Sequence, residues 1–322
     1  FVQGSNLYRY GFIIEATSNI KEEWLYQKKL KKYAQEVALF TRLNREFNLG
    51  ASFSEAKDIE SKTRENALFL PVVAQFNGLI SQEILAWFDK LTIISNLRSE
   101  EFKHFSFEML EDEEFREKIV KFIKSADTGI TDIKKKKIDF ASLNIESDEL
   151  KELPDFLLEK LKEEGLSTVE TMHMQYDNNN MFKQLKSFSL NFESDGTQKL
   201  LALSAPLIDA LLNGEIIVVD ELDNSLHTDL VQAIVKLFNC PKSNPNNAQL
   251  IFSTHDTNLL NQELFRRDQI WFVQKDIYGS SELYSLIEYG EGKIREDLAL
   301  EKNYLNGKFG GKPYISSSLM EL

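Results

Sequence analysis

The sequence predicts an α/β fold in which helices flank a mixed or parallel sheet. Two short runs of apolar, β-branched residues, within 214–221 and 248–256, are typical of strands buried on both faces. An amphipathic segment at 230–238 separates them, and a strand, a helix and a strand in that order form a right-handed unit with parallel strands. At 322 residues the chain exceeds the length that one core usually serves, so we expect two lobes.

The composition narrows the class of protein. With 42% hydrophobic and 28% charged residues the chain can bury a large core, which excludes a disordered protein. A net charge of -13 and an isoelectric point near 5.0 argue against nucleic-acid binding by the whole surface, although a local basic patch stays open. The single Cys240 excludes an internal disulfide, and no apolar stretch reaches the ~18 residues that span a bilayer. Because no secretory signal pattern opens the sequence either, we expect a cytoplasmic protein without membrane contact.

The first 50 residues are expected to form antiparallel strands. Aromatic and β-branched residues are dense in 1–15, and a second strand at 20–26 follows a turn signal at 17–19. We interpret 27–47 as short strands before a turn at 48–50.

From about residue 54 to 127 the apolar residues recur at helical spacing, so we expect an inserted helical lobe over 51–167. Its last part, 138–165, is predicted as a linker and one exposed helix. The four lysines at 134–137 are either a contact for nucleic acid or a partner, or a solvated edge, and we favour the solvated edge.

A hairpin is predicted over 169–192, with Asp and Asn residues at its tip because they tolerate left-handed backbone. It leads into Glu-Ser-Asp-Gly-Thr-Gln-Lys at 193–199, just before a long buried helix. Ser194 and Asp195 are good N-cap residues, and Gly196 lets a backbone or a phosphate come close. The free amides and the dipole of the first turn would then form an anion site, although most such sequences are simply caps.

Two carboxylates end the first buried strand. Ligands of parallel sheets bind beyond the carboxyl ends of the strands, so Asp220 and Glu221 would face that crevice. This is the layout of a Walker B strand, in which Asp220 holds Mg²⁺ and Glu221 polarises a water against the terminal phosphate of a nucleotide. The alternative is a core strand that merely ends in acidic residues.

The second buried strand ends in Ser253-Thr254-His255-Asp256. The strand–helix–strand order places the two strand ends side by side, so His255 would reach the same phosphate and sense it as a hydrogen-bond donor. The alternative is a capping or core histidine. A final pair of strands is predicted at 268–273 and 282–286.

Together these segments resemble the ABC/SMC-like branch of P-loop ATPases, and they are most similar to the AAA-type ATP-binding proteins of bacterial anti-phage and abortive-infection systems. The matching motifs are a signature at 193–199, a Walker B strand and D-loop at 219–227, and a switch histidine at 253–256. Less specific similarity extends the resemblance over nearly the whole chain, at 8–12, 22–26, 66–77 and 304–310.

The resemblance implies a P-loop NTPase of ABC-ATPase type with an inserted helical lobe. Residues 1–50 would be the antiparallel part of the ATPase head, 51–167 the helical insertion, and 168–322 the lobe that carries the motifs. It also implies ATP and Mg²⁺ as cofactors, with ATP held between two protomers. In that arrangement Glu221 and His255 are catalytic and Asp220 binds Mg²⁺. The signature residues of one protomer contact the nucleotide of the other: Ser194, Gly196, Thr197 and Gln198. The residues of the D-loop lie beside them: Asp223, Ser225 and His227.

The sequence departs from the family pattern in two places. No Gly-x-x-x-x-Gly-Lys-Ser/Thr phosphate loop occurs in it. In the family that Walker A loop lies well upstream of the position of Tyr8, so we expect that an N-terminal segment of the natural protein is missing here and that this chain alone binds ATP poorly. The second departure is His227, which stands where transporter-type ABC ATPases carry an aspartate.

The function implied is that of an ATPase that senses or regulates within an anti-phage defence system and gates a separate effector, a nuclease. Expected partners are a second copy of the chain and an effector encoded alongside, with DNA or a phage component as further candidates. Two alternatives stay open. An SMC-like DNA-repair ATPase would need longer heptad repeats than 54–165 offers, and a non-hydrolysing scaffold would have no chemical need for both Asp220 and Glu221.

Overall fold

The computed structural model describes residues 1–95, 99–138, 166–288 and 299–312. The chain divides into two compact units, Phe1–Leu91 and Thr92–Leu322, which we describe separately. The predicted linker and exposed helix at 138–165 lie outside the described residues, except for residue 138. The domain boundaries at 50 and 167 stay predictions.

An antiparallel sheet forms the first part of the N-terminal unit. Its strands follow one another in sheet order, each antiparallel to the next: β1 (Val2–Gln3), β2 (Asn6–Ile14), β3 (Ile20–Lys29), β4 (Val37–Leu43) and β5 (Glu46–Leu49). The antiparallel strands expected in the first 50 residues are therefore present. The turn predicted at 48–50 comes slightly later, because residues 48 and 49 still belong to β5 and the Phe53 amide donates to the Gly50 carbonyl at 2.9 Å. A separate tight turn joins β4 to β5 at Asn44, whose φ is +54°.

Two helices, α1 (Phe69–Gln75) and α2 (Leu79–Phe88), complete this unit, with short 3₁₀ turns at Ser54–Ala56 and Glu60–Lys62. A buried carboxylate on β3 holds the start of α1: Glu23 accepts hydrogen bonds from the amides of Phe69 at 2.6 Å and Leu70 at 3.0 Å. These two amides have no partner within the helix, so Glu23 serves as their cap.

Over the described residues, the C-terminal unit contains five helices and three sheets, one of which carries the motifs. Its strands are β6 (Leu91–Ile94), β7 (Ile130–Ile138), β8 (Leu166–Tyr176), β9 (Phe182–Ser189), β10 (Ile216–Val219), β11 (Gln249–Phe252), β12 (Trp271–Lys275) and β13 (Ser281–Ser285). Its longer helices are α3 (Ser99–Met109), α4 (Glu113–Lys124), α5 (Asp195–Asn213) and α6 (Thr228–Asn239), followed by the short α7 (Leu300–Leu305).

The central sheet has the order β11-β10-β6. Strands β10 and β11 are parallel, with Ile216 opposite Gln249 and Val219 opposite Phe252. The predicted strand–helix–strand unit is thus confirmed, with α6 as its helix. Strand β6 was missed, since its four residues, three of them apolar, follow a helical pattern and so short a run does not distinguish a strand from a helix.

Two strands, β6 and β7, lie within 51–167, where we expected a helical lobe. The helical prediction is therefore wrong for the residues of these two strands. Strand β7 is the edge of an antiparallel sheet with the order β7-β8-β9. The ammonium groups of Lys135 and Lys136 lie 2.7 Å from Glu111 and 2.9 Å from Glu170. This pairing along an edge strand supports the solvated-edge interpretation of the lysine run.

Helix α5 begins and ends as its sequence predicts. The side chain of Ser194 accepts a hydrogen bond from the Thr197 amide at 3.2 Å, and Gly214 adopts φ +67° at the C-terminal end. Pro206 lies inside the helix and has no N–H for the carbonyl one turn before it. The buried Ser106 of α3 donates to the Ala202 carbonyl at 2.9 Å, which satisfies that group and joins α3 to α5.

The last strands, β12 and β13, pair antiparallel as predicted, although the first begins later because Arg267–Gln269 forms a 3₁₀ turn. Further 3₁₀ turns lie at Leu190–Phe192 and Thr257–Leu259. Throughout the described part of the chain, no helix combines the length and apolar character needed to cross a bilayer.

Candidate functional site

The acidic end of β10 lies between two neighbouring strands. Asp220 is exposed, and its amide donates to the Ile94 carbonyl of β6 at 2.8 Å. Glu221 has φ +51°, a left-handed conformation that few residues other than glycine adopt and that is enriched at functional sites. The chain therefore turns sharply away from the sheet at the second carboxylate.

Ser253, directly after β11, joins the two strand ends. Its hydroxyl donates to Oδ1 of Asp220 at 2.5 Å and accepts from the Glu221 amide at 2.8 Å. This contact fixes both the first carboxylate and the backbone of the second. The role of Ser253 is not predicted from the sequence, although a hydroxyl one residue beyond the neighbouring parallel strand is a signal for it.

His255 approaches the loop that follows Glu221. Its Nε2 lies 3.1 Å from Oδ2 of Asp223, whose side chain is 6% exposed, while the imidazole is 74% exposed. The predicted switch histidine thus contacts the predicted D-loop of its own chain. Asp256 lies beside it, and the Thr228 hydroxyl donates to Asp256 at 2.5 Å. Burial acts to raise the pKa of Asp256, but hydrogen bonds from Thr228 and Asn258 outweigh it and hold that pKa below its usual value.

The start of α5 packs against the same loop. Gly196 is half-buried, and a Cβ placed on it would lie 2.6 Å from the Ser225 carbonyl oxygen. Glycine is therefore required here by the close approach of the loop that follows β10. Ser194 is exposed, with its hydroxyl 2.9 Å from that of Thr197, and the Gln198 side chain donates to the Glu193 carbonyl at 3.0 Å.

Lys199 connects helix α5 to the loop that follows β10. Its ammonium group donates to the Glu221 carbonyl at 2.9 Å. Burial lowers the pKa of Lys199, and the charges of Asp223 and Glu221 partly oppose that shift. Lys199 belongs to the predicted signature at 193–199, but its contact is not predicted from the sequence because it depends on how the helix packs.

A comparison with family models finds one match, to the family described as "AAA domain, putative AbiEii toxin, Type IV TA system", over residues 1–261. The match covers well over half of the chain and includes every residue of the candidate site. The chain belongs to this AAA-domain family. No curated protein matches the chain.

Membership of the AAA-domain family brings its general properties: an α/β domain of P-loop type, nucleotide binding that typically uses Mg²⁺, and ATPase activity. The family description also names a toxin and a Type IV toxin–antitoxin system. This agrees with the general part of the resemblance drawn from the motifs.

The donor groups of this AAA-domain protein suit a Mg²⁺ ion that is bound together with the nucleotide better than a metal ion held by protein side chains alone. In the described residues no group of three or more His, Cys, Asp or Glu side chains could hold a metal ion. Mg²⁺ commonly uses one or two carboxylates together with water and substrate phosphates. The exposed carboxylate of Asp220, oriented by Ser253, offers such a ligand.

The structure explains why a histidine can stand at position 227, where transporter-type ABC ATPases carry an aspartate. His227 is the N-cap of α6, where its Nδ1 accepts a hydrogen bond from the Asp229 amide at 3.2 Å. An aspartate at this position would make the same contact with its carboxylate, so the histidine conserves the local cap.

We expect Gly196→Ala to lower the free energy of unfolding by about 1–3 kcal/mol, the usual effect of forcing extra atoms into a packed contact. The added methyl group would meet a backbone oxygen of Ser225, so the helix or the loop must move. Urea denaturation measures the change. Asp195→Ala, the exposed neighbour, is the control and should have a smaller effect because it adds no atom. Equal stability of Gly196→Ala and the parent would contradict the close packing.

Proposed function

We propose that this protein is the ATP-hydrolysing, regulatory engine of a bacterial abortive-infection or anti-phage system, working as a dimer and gating a separate nuclease effector. One observation carries the proposal: the carboxylates after β10 and the histidine after β11 end adjacent parallel strands, and their loops rest on the start of α5. Parallel α/β sheets bind ligands beyond these strand ends.

The roles follow from the contacts. Asp220, held by Ser253, is the ligand for Mg²⁺, which when bound neutralises charge on the phosphates. Glu221 polarises the attacking water as a general base, on a backbone fixed by Ser253 and Lys199. His255 donates to the terminal phosphate from its exposed face.

The signature residues serve the nucleotide of the second copy. Ser194 and Asp195 are exposed, whereas Gly196 is covered on one side by Ser225 of its own chain. The free amides of the first turn and the helix dipole favour an anion beyond that exposed end. A phosphate presented by a second copy fits this anion site, which is why we propose that hydrolysis requires a dimer.

An ATPase assay on the natural full-length protein tests the proposal. We expect Mg²⁺-dependent hydrolysis with a specific activity that rises with protein concentration, because the active species is a dimer. Nuclease activity of a co-purified effector should then respond to ATP. Absence of hydrolysis would favour the scaffold alternative, and stimulation by DNA without any nuclease partner would favour the DNA-repair alternative.

We expect Ser194→Arg to reduce ATP-dependent dimerisation about tenfold or more, equivalent to at least ~1.4 kcal/mol. The longer side chain occupies the space proposed for the phosphate, and the cap of α5 loses its hydroxyl. Sedimentation velocity with a non-hydrolysable ATP analogue measures the dimer.

Two controls separate the possible causes. Ser194→Ala removes the cap hydroxyl without adding bulk, and Asn179→Arg adds the same charge at the exposed tip of the β8–β9 hairpin. Both should dimerise much better than Ser194→Arg. An undiminished dimer in Ser194→Arg itself would argue against the contact in trans.

A further inference from the structure

The contact between His255 and Asp223 joins an exposed ring to a buried carboxylate. The side chain of Asp223 is 6% exposed and that of His255 74%. Oδ2 of Asp223 lies 3.1 Å from the imidazole Nε2, whereas its buried Oδ1 has no hydrogen-bond partner among the residues that the structure describes. A buried oxygen without a partner destabilises the folded chain, so packing alone does not account for an aspartate here.

The chemistry of the two groups determines which ring nitrogen carries a proton. An ionised carboxylate accepts hydrogen bonds and donates none, so the nitrogen that faces Asp223 is Nε2–H. The other nitrogen, Nδ1, is then presented on the exposed side of the ring. Because phosphate oxygens also act as acceptors, Nδ1 can bind a phosphate only when it too is protonated, which makes the ring an imidazolium.

We propose that Asp223 is the positioning residue of His255: it orients the ring, fixes the proton on Nε2, and thereby makes His255 meet the terminal phosphate through Nδ1 as a cation. This inference rests on the proposed ATPase function and deepens it. Asp223 does not touch the nucleotide in this arrangement and acts through the histidine.

Other charged groups come from the elements that meet at this pair. Asp256, the residue after His255, interacts with it electrostatically. Lys199 comes from α5, and its ammonium group interacts with the charge of Asp223. Asp220 and Glu221 follow the adjacent strand β10. Besides Asp223, these elements therefore bring three carboxylates and one ammonium group to the site.

Nitrogen NMR of the imidazole rings tests the positioning directly and needs no nucleotide. The chain has four histidines, so His255 can be assigned by the signal lost in His255→Gln. At a pH where the rings are neutral, we expect His255 of the parent protein to be protonated at Nε2. In Asp223→Asn the carboxamide NH₂ can face Nε2, so this variant should populate the Nδ1–H form. Asp223→Leu places no polar group against the ring and gives the reference spectrum of a ring without a partner there. The same Nε2–H signature in all three proteins would overturn the proposal.

Stability and turnover together exclude a merely structural role. We expect Asp223→Asn to keep or raise the melting temperature, since it removes a buried charge with an unpartnered oxygen. The kcat for ATP should fall about 10- to 100-fold, the range found for partners that orient functional histidines, with a smaller change in KM. The double variant Asp223→Asn/His255→Ala should have the same kcat as His255→Ala alone, because Asp223 acts through His255. A lower melting temperature with unchanged kcat would overturn the assignment.

The two kinds of measurement separate this inference from the proposed function. If the natural protein does not hydrolyse ATP, the proposed function fails, and the nitrogen spectra still decide whether Asp223 fixes the proton of His255. If the protein hydrolyses ATP but Asp223→Asn changes neither the nitrogen spectra nor kcat, only the positioning role of Asp223 is contradicted.

Discussion

We expect Glu221→Gln to lower the kcat of ATP hydrolysis by about 10²- to 10⁴-fold, the usual contribution of a general base. This corresponds to roughly 2.7–5.4 kcal/mol in the activation free energy. Gln has nearly the same shape but cannot take a proton from water. The contacts that hold the loop involve the backbone of Glu221, whose amide donates to Ser253 and whose carbonyl accepts from Lys199. Neither contact uses the side chain, so the loop conformation should persist.

Two measurements on the natural full-length protein separate chemistry from binding. Phosphate release gives kcat, and calorimetric titration with ATP gives an affinity that we expect to change little. Because hydrolysis is slowed, the variant should also accumulate as the ATP-bound dimer in sedimentation experiments.

Glu215→Gln is the matched control, since it makes the same chemical change just before the opposite end of β10. We expect it to hydrolyse ATP like the parent protein. Equal turnover by Glu221→Gln and the parent would remove Glu221 from the role of base, and loss of ATP binding in that variant would indicate a structural effect instead.

The parts of the site that the sequence predicts are those with a local signal. Strand β10 is recognised from its apolar run, its two carboxylates from their position after it, and the start of α5 from Ser194 and the glycine two residues later. These features depend on side-chain spacing within a few residues, and the structure has them where they were expected.

The parts that the sequence does not predict depend on packing between distant segments. Ser253 contacts Asp220 only because the register of β10 and β11 places their ends side by side. Lys199 reaches the Glu221 carbonyl across the first turns of α5, and Ser106 satisfies a carbonyl freed by Pro206 in another helix. None of these pairs has a sequence pattern of its own, and β6 was likewise recognised only through its place in the sheet.

Coupling between nucleotide sites follows from the same packing. In the proposed dimer the start of α5 contacts the nucleotide of the partner, while Lys199 and Gly196 of that helix contact the Glu221 and Ser225 backbones of their own chain. A shift of the helix on binding one nucleotide would therefore move the base that serves the other. Packed contacts of this kind transmit small displacements because they do not deform continuously.

The second large effect is expected in the N-terminal unit, where Glu23→Ala should lower the free energy of unfolding by about 3–5 kcal/mol. Glu23 is fully buried, and Nη1 of Arg42 lies 3.6 Å from its carboxylate. Removing the carboxylate leaves the Arg42 charge buried without its counter-ion and deprives the Phe69 and Leu70 amides of their acceptor. Both consequences destabilise the folded state.

Urea denaturation followed by tryptophan fluorescence measures the effect, since Trp24 and Trp87 lie in this unit. Glu36→Ala is the control because its ion pair with Arg9 is exposed, and we expect it to leave the midpoint almost unchanged. If Glu23→Ala unfolds at the same urea concentration as this control, the buried pair adds no stability.

A double variant separates the two causes of that loss. Glu23→Gln keeps one acceptor oxygen for the α1 amides, replaces the other oxygen with an NH₂ group and removes the negative charge, so Arg42 remains buried without this counter-ion. Adding Arg42→Met removes that charge as well, and we expect the double variant to be more stable than Glu23→Gln alone, because a buried ion left unpaired is more destabilising than its apolar replacement. A double variant less stable than Glu23→Gln would show instead that the bonds from Arg42 to the Asn44 and Ala67 carbonyls, at 2.7 Å and 2.6 Å, contribute more than its charge removes.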